Sequence, residues 1–235
     1  MLNTKLDPLK DGISSVQLID KMGDEIRIVN AARVSMNKES GWDISAPRIQ
    51  FKLKDTDKSL IKYLYTNNHW TPFAHVQVSF RVKAPIFVAR QLVKHQVGLV
   101  WNEVSRRYVS DNLEFYIPES LRLKPEGNIK QGSSEETTTD FTDYINDIVK
   151  ATTTVYNHML NNGVAPEEAR MILPINLYTE WIWTGSLYAF LRIIDLRCDP
   201  HSQSQTRQYG EAFKSCLKDT FPYLFEILDE IKGEF

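Results

Sequence analysis

Val76-Gln77-Val78-Ser79-Phe80-Arg81-Val82-Lys83 is the stretch that decides the fold. Apolar and polar residues alternate strictly along it, which is the period of a strand with one buried and one solvated face. Pro85 follows at once and predicts the start of a helix over 86 to about 96, because a proline at the first helical position has no N–H to leave unpaired. Gly98 breaks that helix. A loop is expected from 101 to 105, then extended chain from 106 to 110.

Outward from this unit the chain is mixed. Before it, 29–35 reads as a short helix or turn. Asp55 or Thr56 can cap a helix to about residue 65, with Leu60, Ile61 and Leu64 on one face, ended by Asn67-Asn68-His69. After it, 118–139 is polar, carries Pro125, Gly127 and Gly132, and reads as a loop. Ser133 and Glu136 have capping-box spacing ahead of a long helix to Asn162, with Gly163 at its end. Pro166-Glu167-Glu168 starts a further helix, with acids where the macrodipole favours them, and Pro174 ends it. Residues 176–183 alternate weakly, and helices are expected over about 186–196, 202–219 and 223–231. The pattern predicts a helix-rich α+β fold, with 1–235 as one domain.

Composition narrows the function. The chain has 235 residues, 42% hydrophobic and 25% charged, enough to bury a substantial core. Mean hydropathy is −0.35, and no apolar run approaches the ~18 residues of a membrane span. The N-terminal Met-Leu-Asn-Thr-Lys-Leu-Asp-Pro has no apolar core of a secretory leader. Net charge is −2 and the pI about 6.2, without the basic excess that marks a nucleic-acid binder. Cys198 and Cys216 form no CxxC pair, so a cytoplasmic, reducing setting is expected and a zinc or disulfide framework is not.

Four clusters could carry chemistry. Gln91, Lys94 and His95 lie at i, i+3 and i+4, one face of the expected helix; they would meet a ligand or form a solvated face. Asn102-Glu103-Val104-Ser105-Arg106-Arg107-Tyr108 gathers a carboxylate, a hydroxyl and two guanidiniums. Arginine forks and hydroxyls suit phosphate, though a loop with internal salt bridges has the same composition. Arg170 and Arg197 sit in apolar company, which calls for an anionic or carbonyl partner, or an internal ion pair. His69-Trp70-Thr71-Pro72-Phe73-Ala74-His75 places two histidines around a proline turn. No GxGxxG, P-loop, GxSxG or HExxH spacing occurs, and Cys198 lacks a paired base.

Read in order, Ala31-Ala32-Arg33-Val34-Ser35, His69 to Phe73, Lys83 to Gln96, Asn102 to Tyr108, Ala169 to Pro174 and Leu196-Arg197 through His201 resemble the flavin-dependent thymidylate synthases. The resemblance implies a central, mostly antiparallel sheet flanked by helices, and a homotetramer with active sites between subunits. It implies reductive methylation of dUMP to dTMP, with methylenetetrahydrofolate giving the carbon and NADPH reducing a bound FAD that supplies hydride. It needs no cysteine nucleophile, metal, nucleic acid or membrane. Gln91, Glu103, Ser105, Arg106, Arg107, Arg170 and Arg197 resemble the nucleotide-binding set, with Arg197 the catalytic group at the uracil carbonyl edge. Ser35, His69, Thr71, Lys94, His95, Gln96, Asn102 and Glu103 resemble the flavin set. The chain departs from the family where Lys94-His95-Gln96 replaces Arg-His-Arg, where one residue is added before Asn102, and at Ser186 and Tyr188. The changes at Lys94-His95-Gln96 and at Ser186 and Tyr188 leave open a pyrimidine nucleotide hydroxymethylase on the same scaffold. A non-catalytic nucleic-acid binder using Arg106 and Arg107 is the alternative from another class.

Overall fold

The computed structural model describes residues 4–45, 50–127 and 132–233. In chain order the elements are β1 (Lys5–Leu6), β2 (Ser15–Met22), α1 (Glu25–Arg33), β3 (Asp43–Ser45), β4 (Gln50–Lys52), α2 (Asp55–Thr66), α3 (Thr71–Ala74), β5 (Gln77–Pro85), α4 (Ile86–Leu92), β6 (Leu99–Glu103), β7 (Leu121–Arg122), β8 (Thr137–Thr138), α5 (Thr142–Asn161), α6 (Pro166–Ala169), β9 (Tyr178–Ser186), α7 (Leu187–Arg197), α8 (Ser204–Thr220) and α9 (Pro222–Gly233). Five strands form one antiparallel sheet in the order β1-β2-β5-β9-β6. The fold is α+β, as the sequence predicts.

The alternation in β5 sorts its two faces. Val78, Phe80 and Val82 are buried, as are Trp183 and Trp181, which lie opposite Phe80 and Val82 on β9. Phe190 of α7 and Phe213 of α8 close on Phe80 at ring separations of 4.9 and 5.1 Å. The other face is polar: Ser79 bonds Thr184, and Arg81 pairs with Glu180. Pro85 ends β5 opposite Tyr178, and the first N–H groups of α4 go to the carbonyls of Leu177 and Ile175.

The structure corrects several sequence expectations. Helix α4 stops at Leu92, with Val93 as its C-cap, so Lys94 and His95 lie beyond the helix rather than on its face. Residues expected in a loop at 101–103 belong to the edge strand β6, anchored by Trp101 stacked on Trp181 at 4.0 Å. The stretch at 106–108, expected to be extended, is a turn whose Tyr108 and Val109 N–H groups donate to the Ser105 carbonyl. The helix before Gly163 begins at Thr142, after the short β7–β8 pair, so Ser133 and Glu136 cap nothing. Part of 118–139, at 128–131, lies outside the described residues. Lys54, not Asp55 or Thr56, is the N-cap of α2. Residues 15–22, unassigned from sequence, form β2.

Gly185 shows why β6 can dock so closely. A Cβ there would stand 2.4 Å from the Gly98 carbonyl oxygen and 2.5 Å from Leu99, so only glycine lets the turn at 97–98 lie against β9. Gly98, at φ +74, makes the turn itself, and its carbonyl accepts from the Ser186 N–H.

Candidate active site

A cleft of about 1130 Å³ opens between α4, the N-terminal turns of α5, the C-terminal end of α7 and the segment leading to α8. Gln91, Lys94 and Arg197 line it. Its lining mixes apolar groups (Phe87, Leu121, Ile145, Ile148, Ile175) with polar ones (Asn176, His201, Gln203, Gln205). This is the size and mixed lining of a small-molecule site.

Arg197 resolves the question its apolar neighbours raise. Among the described residues it has no carboxylate partner. Its Nε donates to His95 Nε2 at 2.9 Å, and its Nη2 donates to the Gln91 carbonyl at 2.9 Å. Three of its five N–H donors carry no partner among the described residues. Half-burial, then the charges of Arg197 and Arg192, hold the His95 imidazole down to about pKa 4, so it is neutral near pH 7 and its Nε2 accepts. Burial also lowers the Arg197 pKa. The guanidinium stays charged all the same, since arginine starts so high. Gln96 is exposed and lines none of the described cavities; its carbonyl accepts from the Leu99 N–H.

The segment from Asn102 to Tyr108 sits elsewhere. Glu103, Ser105, Arg106 and Arg170 line a separate hollow of about 390 Å³. Asn102 and Glu103 are exposed on edge strand β6. Glu103 accepts from Trp101 Nε1 at 3.1 Å and Thr179 Oγ1 at 2.6 Å. Arg106 donates to the carbonyls of Val109 and Asp111 and thereby shapes the turn. Ser105 Oγ accepts the Arg107 N–H. Arg107 pairs with Glu167 of α6 at 3.0 Å, both side chains half exposed, so one ion pair considered from composition does form here. Arg170 is exposed and donates to the Glu167 carbonyl at 3.2 Å.

Ser35, His69 and Thr71 line neither of these two cavities. Ser35 follows α1 in a short turn, exposed, with its hydroxyl donating to the Ala32 carbonyl. Asn68, at φ +57, turns the chain after α2 so that His69 meets Tyr63 edge-on at 5.6 Å. His69 and Trp70 line a small hollow of about 130 Å³ with Tyr188, Arg192 and Asp195 of α7. Thr71 is the exposed first residue of α3.

Within one chain, then, none of these cavities gathers all the predicted residues. Sequence reasoning missed Arg192, which lines the hollow beside His69 and also acts electrostatically on His95. Its only signal was a second arginine in Leu191-Arg192-Ile193-Ile194-Asp195-Leu196-Arg197. Asp57 was missed as well: fully buried, it takes Arg33 and the Ser40 hydroxyl and so braces the segment that carries Ser35. Among the described residues neither Cys198 nor Cys216 is in a disulfide, and burial raises the Cys216 thiol pKa. Among the described residues no helix is long and apolar enough to cross a membrane.

Comparison with known proteins bears on the whole arrangement. A family model described as thymidylate synthase complementing protein matches residues 17–223. The flavin-dependent thymidylate synthase of Thermosipho africanus is 36% identical over 214 residues, 90% of this chain and 89% of that protein. That of Thermus thermophilus is 36% identical over 222 residues, 94% of this chain and 78% of that protein. A crystal structure of the UMP/dUMP methylase PolB from Streptomyces cacaoi, bound with 5-Br dUMP, superposes with a TM-score of 0.76 at 26% identity, covering 92% of this chain and 95% of that one. The family match runs from β2 to the start of α9 and spans the cleft, the edge-strand segment and the Ser35 turn alike, and on that extent the chain belongs to the flavin-dependent thymidylate synthase family.

Proposed function

We propose that this protein converts dUMP to dTMP, with methylenetetrahydrofolate as carbon donor, FAD as its flavin and NADPH as reductant. The observation that carries this reading is Arg197: a half-buried guanidinium in the large cleft, fixed by two hydrogen bonds and with free N–H groups left for a ligand. Such a fixed cation stabilises negative charge that develops on a pyrimidine ring as its C5 is activated, with no reorganisation at the moment of reaction. Gln91 lines the same cleft and would pair with the polar edge of the base. Ser105, the backbone near Arg106, Arg107 and Arg170 would take the nucleotide phosphate, and Glu103 a sugar hydroxyl or amide N–H. The Glu167 pair on Arg107 is exposed enough for a dianionic phosphate to displace it.

The flavin site is tested by its donors. Lys94, in the large cleft, and Arg192 have no ion-pair partner among the described residues, and Trp70 and Tyr188 present rings 5.6 Å apart in the hollow that Arg192 lines. Cations and flat rings fit a diphosphate joined to two ring systems, so Ser35, His69, Thr71, Lys94, His95, Gln96, Asn102 and Glu103 are proposed to hold FAD, helped by Arg192. When bound, the flavin supplies the hydride, and the protein supplies position and electrostatics.

We take the working form to be a homotetramer of one-domain chains, in the cytoplasm, with sites between subunits. Two observations support this. The 130 Å³ hollow is too small for a flavin, and no one cavity of the single chain gathers the predicted residues. Exposed apolar residues also flank each segment: Val34 and Met36 around Ser35, Trp70 beside His69, Val104 and Tyr108 around Ser105 to Arg107. The purified protein is expected to be yellow and to turn over dUMP with methylenetetrahydrofolate and NADPH. A colourless protein that takes up no FAD would sink the proposal. UMP run beside dUMP reports whether the ribose 2′ position is read.

A further inference from the structure

We infer that His95 is a positioning residue for Arg197: its neutral imidazole, through Nε2, clamps the guanidinium in the orientation the reaction needs. This rests on the role proposed for Arg197 and goes beyond the flavin contact expected of His95.

The geometry is specific. Arg197 is the last residue of α7, where a long side chain would otherwise be free to rotate. Two acceptors from the α4 end remove that freedom. The Gln91 carbonyl takes one Nη2 proton and His95 Nε2 takes the Nε proton, each at 2.9 Å. Gln91 O is available because it lies in the last turn of α4, where carbonyls lose their intrahelical partners. His95 is brought into reach by the early end of the helix at Leu92, and its own N–H donates to the Leu92 carbonyl at 3.0 Å. The two acceptors sit on different donors of one planar fork, so together they fix both its place and its plane.

An imidazole suits this task only in one form. Nε2 must be bare to accept, which places the proton on Nδ1. Protonated, the ring would have no acceptor and would put a second positive charge against Arg197. The groups that act on it electrostatically, Arg197 and Arg192 of α7, are both cationic, and with half-burial they disfavour the charged ring. The two residues are thus mutually selecting: the arginine keeps the histidine neutral, and the neutral histidine holds the arginine. A lysine at 197 could satisfy one acceptor but not both in one plane.

The test uses the FAD-loaded enzyme and two replacements. His95→Phe keeps a ring but removes the acceptor; His95→Gln keeps an uncharged acceptor. His95→Phe is expected to lower kcat by ~10–100-fold with KM for dUMP within ~3-fold, because a misplaced guanidinium loses mainly transition-state stabilisation. His95→Gln is expected to recover most of that loss. Nitrogen-15 spectra of the wild-type imidazole should show bare Nε2 and protonated Nδ1 at pH 7, and Arg197→Lys should change the Nε2 signal. A His95→Phe enzyme within twofold of wild type would overturn the inference, as would a wild-type ring protonated at Nε2. If the wild type turns over no dUMP, the proposed function fails, while the tautomer and its response to Arg197→Lys still decide the clamp.

Discussion

Two arginines of this chain are held in opposite ways. Arg197 is half buried and bound by neutral acceptors, a carbonyl and an imidazole, so its charge is not cancelled. Arg107 sits on an exposed turn beyond an edge strand and is paired with the carboxylate of Glu167. Neutral acceptors orient a cation without using up its field; an exposed carboxylate stores the cation in a weak pair that an anion can replace. The Arg197 fork is therefore preorganised within one chain, while Arg107 is held only by an exchangeable pair. That contrast fits the proposed division of labour, in which one arginine serves the reacting ring and the other the phosphate.

The strongest way to break the comparison is at Arg197. Arg197→Lys should cut kcat by ~100-fold or more while FAD absorbance and far-UV dichroism stay as in wild type, since lysine keeps the charge but loses the fork. Turnover near wild type would remove Arg197 from the chemistry. Arg107→Ala should act on binding instead. The dUMP concentration for half-saturation should rise by ~10-fold, the scale of one charge-assisted contact, with kcat changed far less. If kcat fell as far as in Arg197→Lys, the two arginines would not differ in role.

The sequence showed the scaffold of this contrast better than its geometry. The β5 alternation and the proline after it located the centre of the sheet and the start of α4, because period and proline chemistry act locally. Where α4 ends was not legible: Val93, Lys94 and His95 read as helix, and what stops them is the docking of the 97–98 turn against Gly185, some ninety positions away. β6 was missed for the same reason. Leu99 to Glu103 is short and lacks a clean period, and its pairing with β9 and the Trp101–Trp181 stack exist only in three dimensions. The candidate site residues were named through the resemblance, but the His95–Arg197 bond joins positions about a hundred apart and no spacing announces it.

Smaller effects sharpen the comparison. Glu167→Gln should release Arg107 and tighten dUMP binding by a few-fold at most, since an exposed pair is worth about 0.2–1 kcal/mol; titration by flavin absorbance would read it. Weaker binding would assign Glu167 to the site rather than to storage. pH gives the last contrast. His95 ionises near 4 in the folded chain against its ordinary 6.5. Between those values the unfolded chain binds a proton that the folded chain refuses. The His95 contribution to stability is thus fully present above pH 6.5 and is lost as pH falls from 6.5 toward 4. His95→Gln should flatten that part of the denaturation profile relative to wild type, whereas equal slopes would mean the imidazole is not held neutral.

The central claim is the chemistry itself, and the mass of the product reads it most directly. Purified protein given FAD, NADPH, methylenetetrahydrofolate and dUMP is predicted to yield a nucleotide heavier than dUMP by one CH2, which is dTMP. A product carrying one further oxygen, or dUMP returned unchanged by a flavin-loaded enzyme, would contradict it.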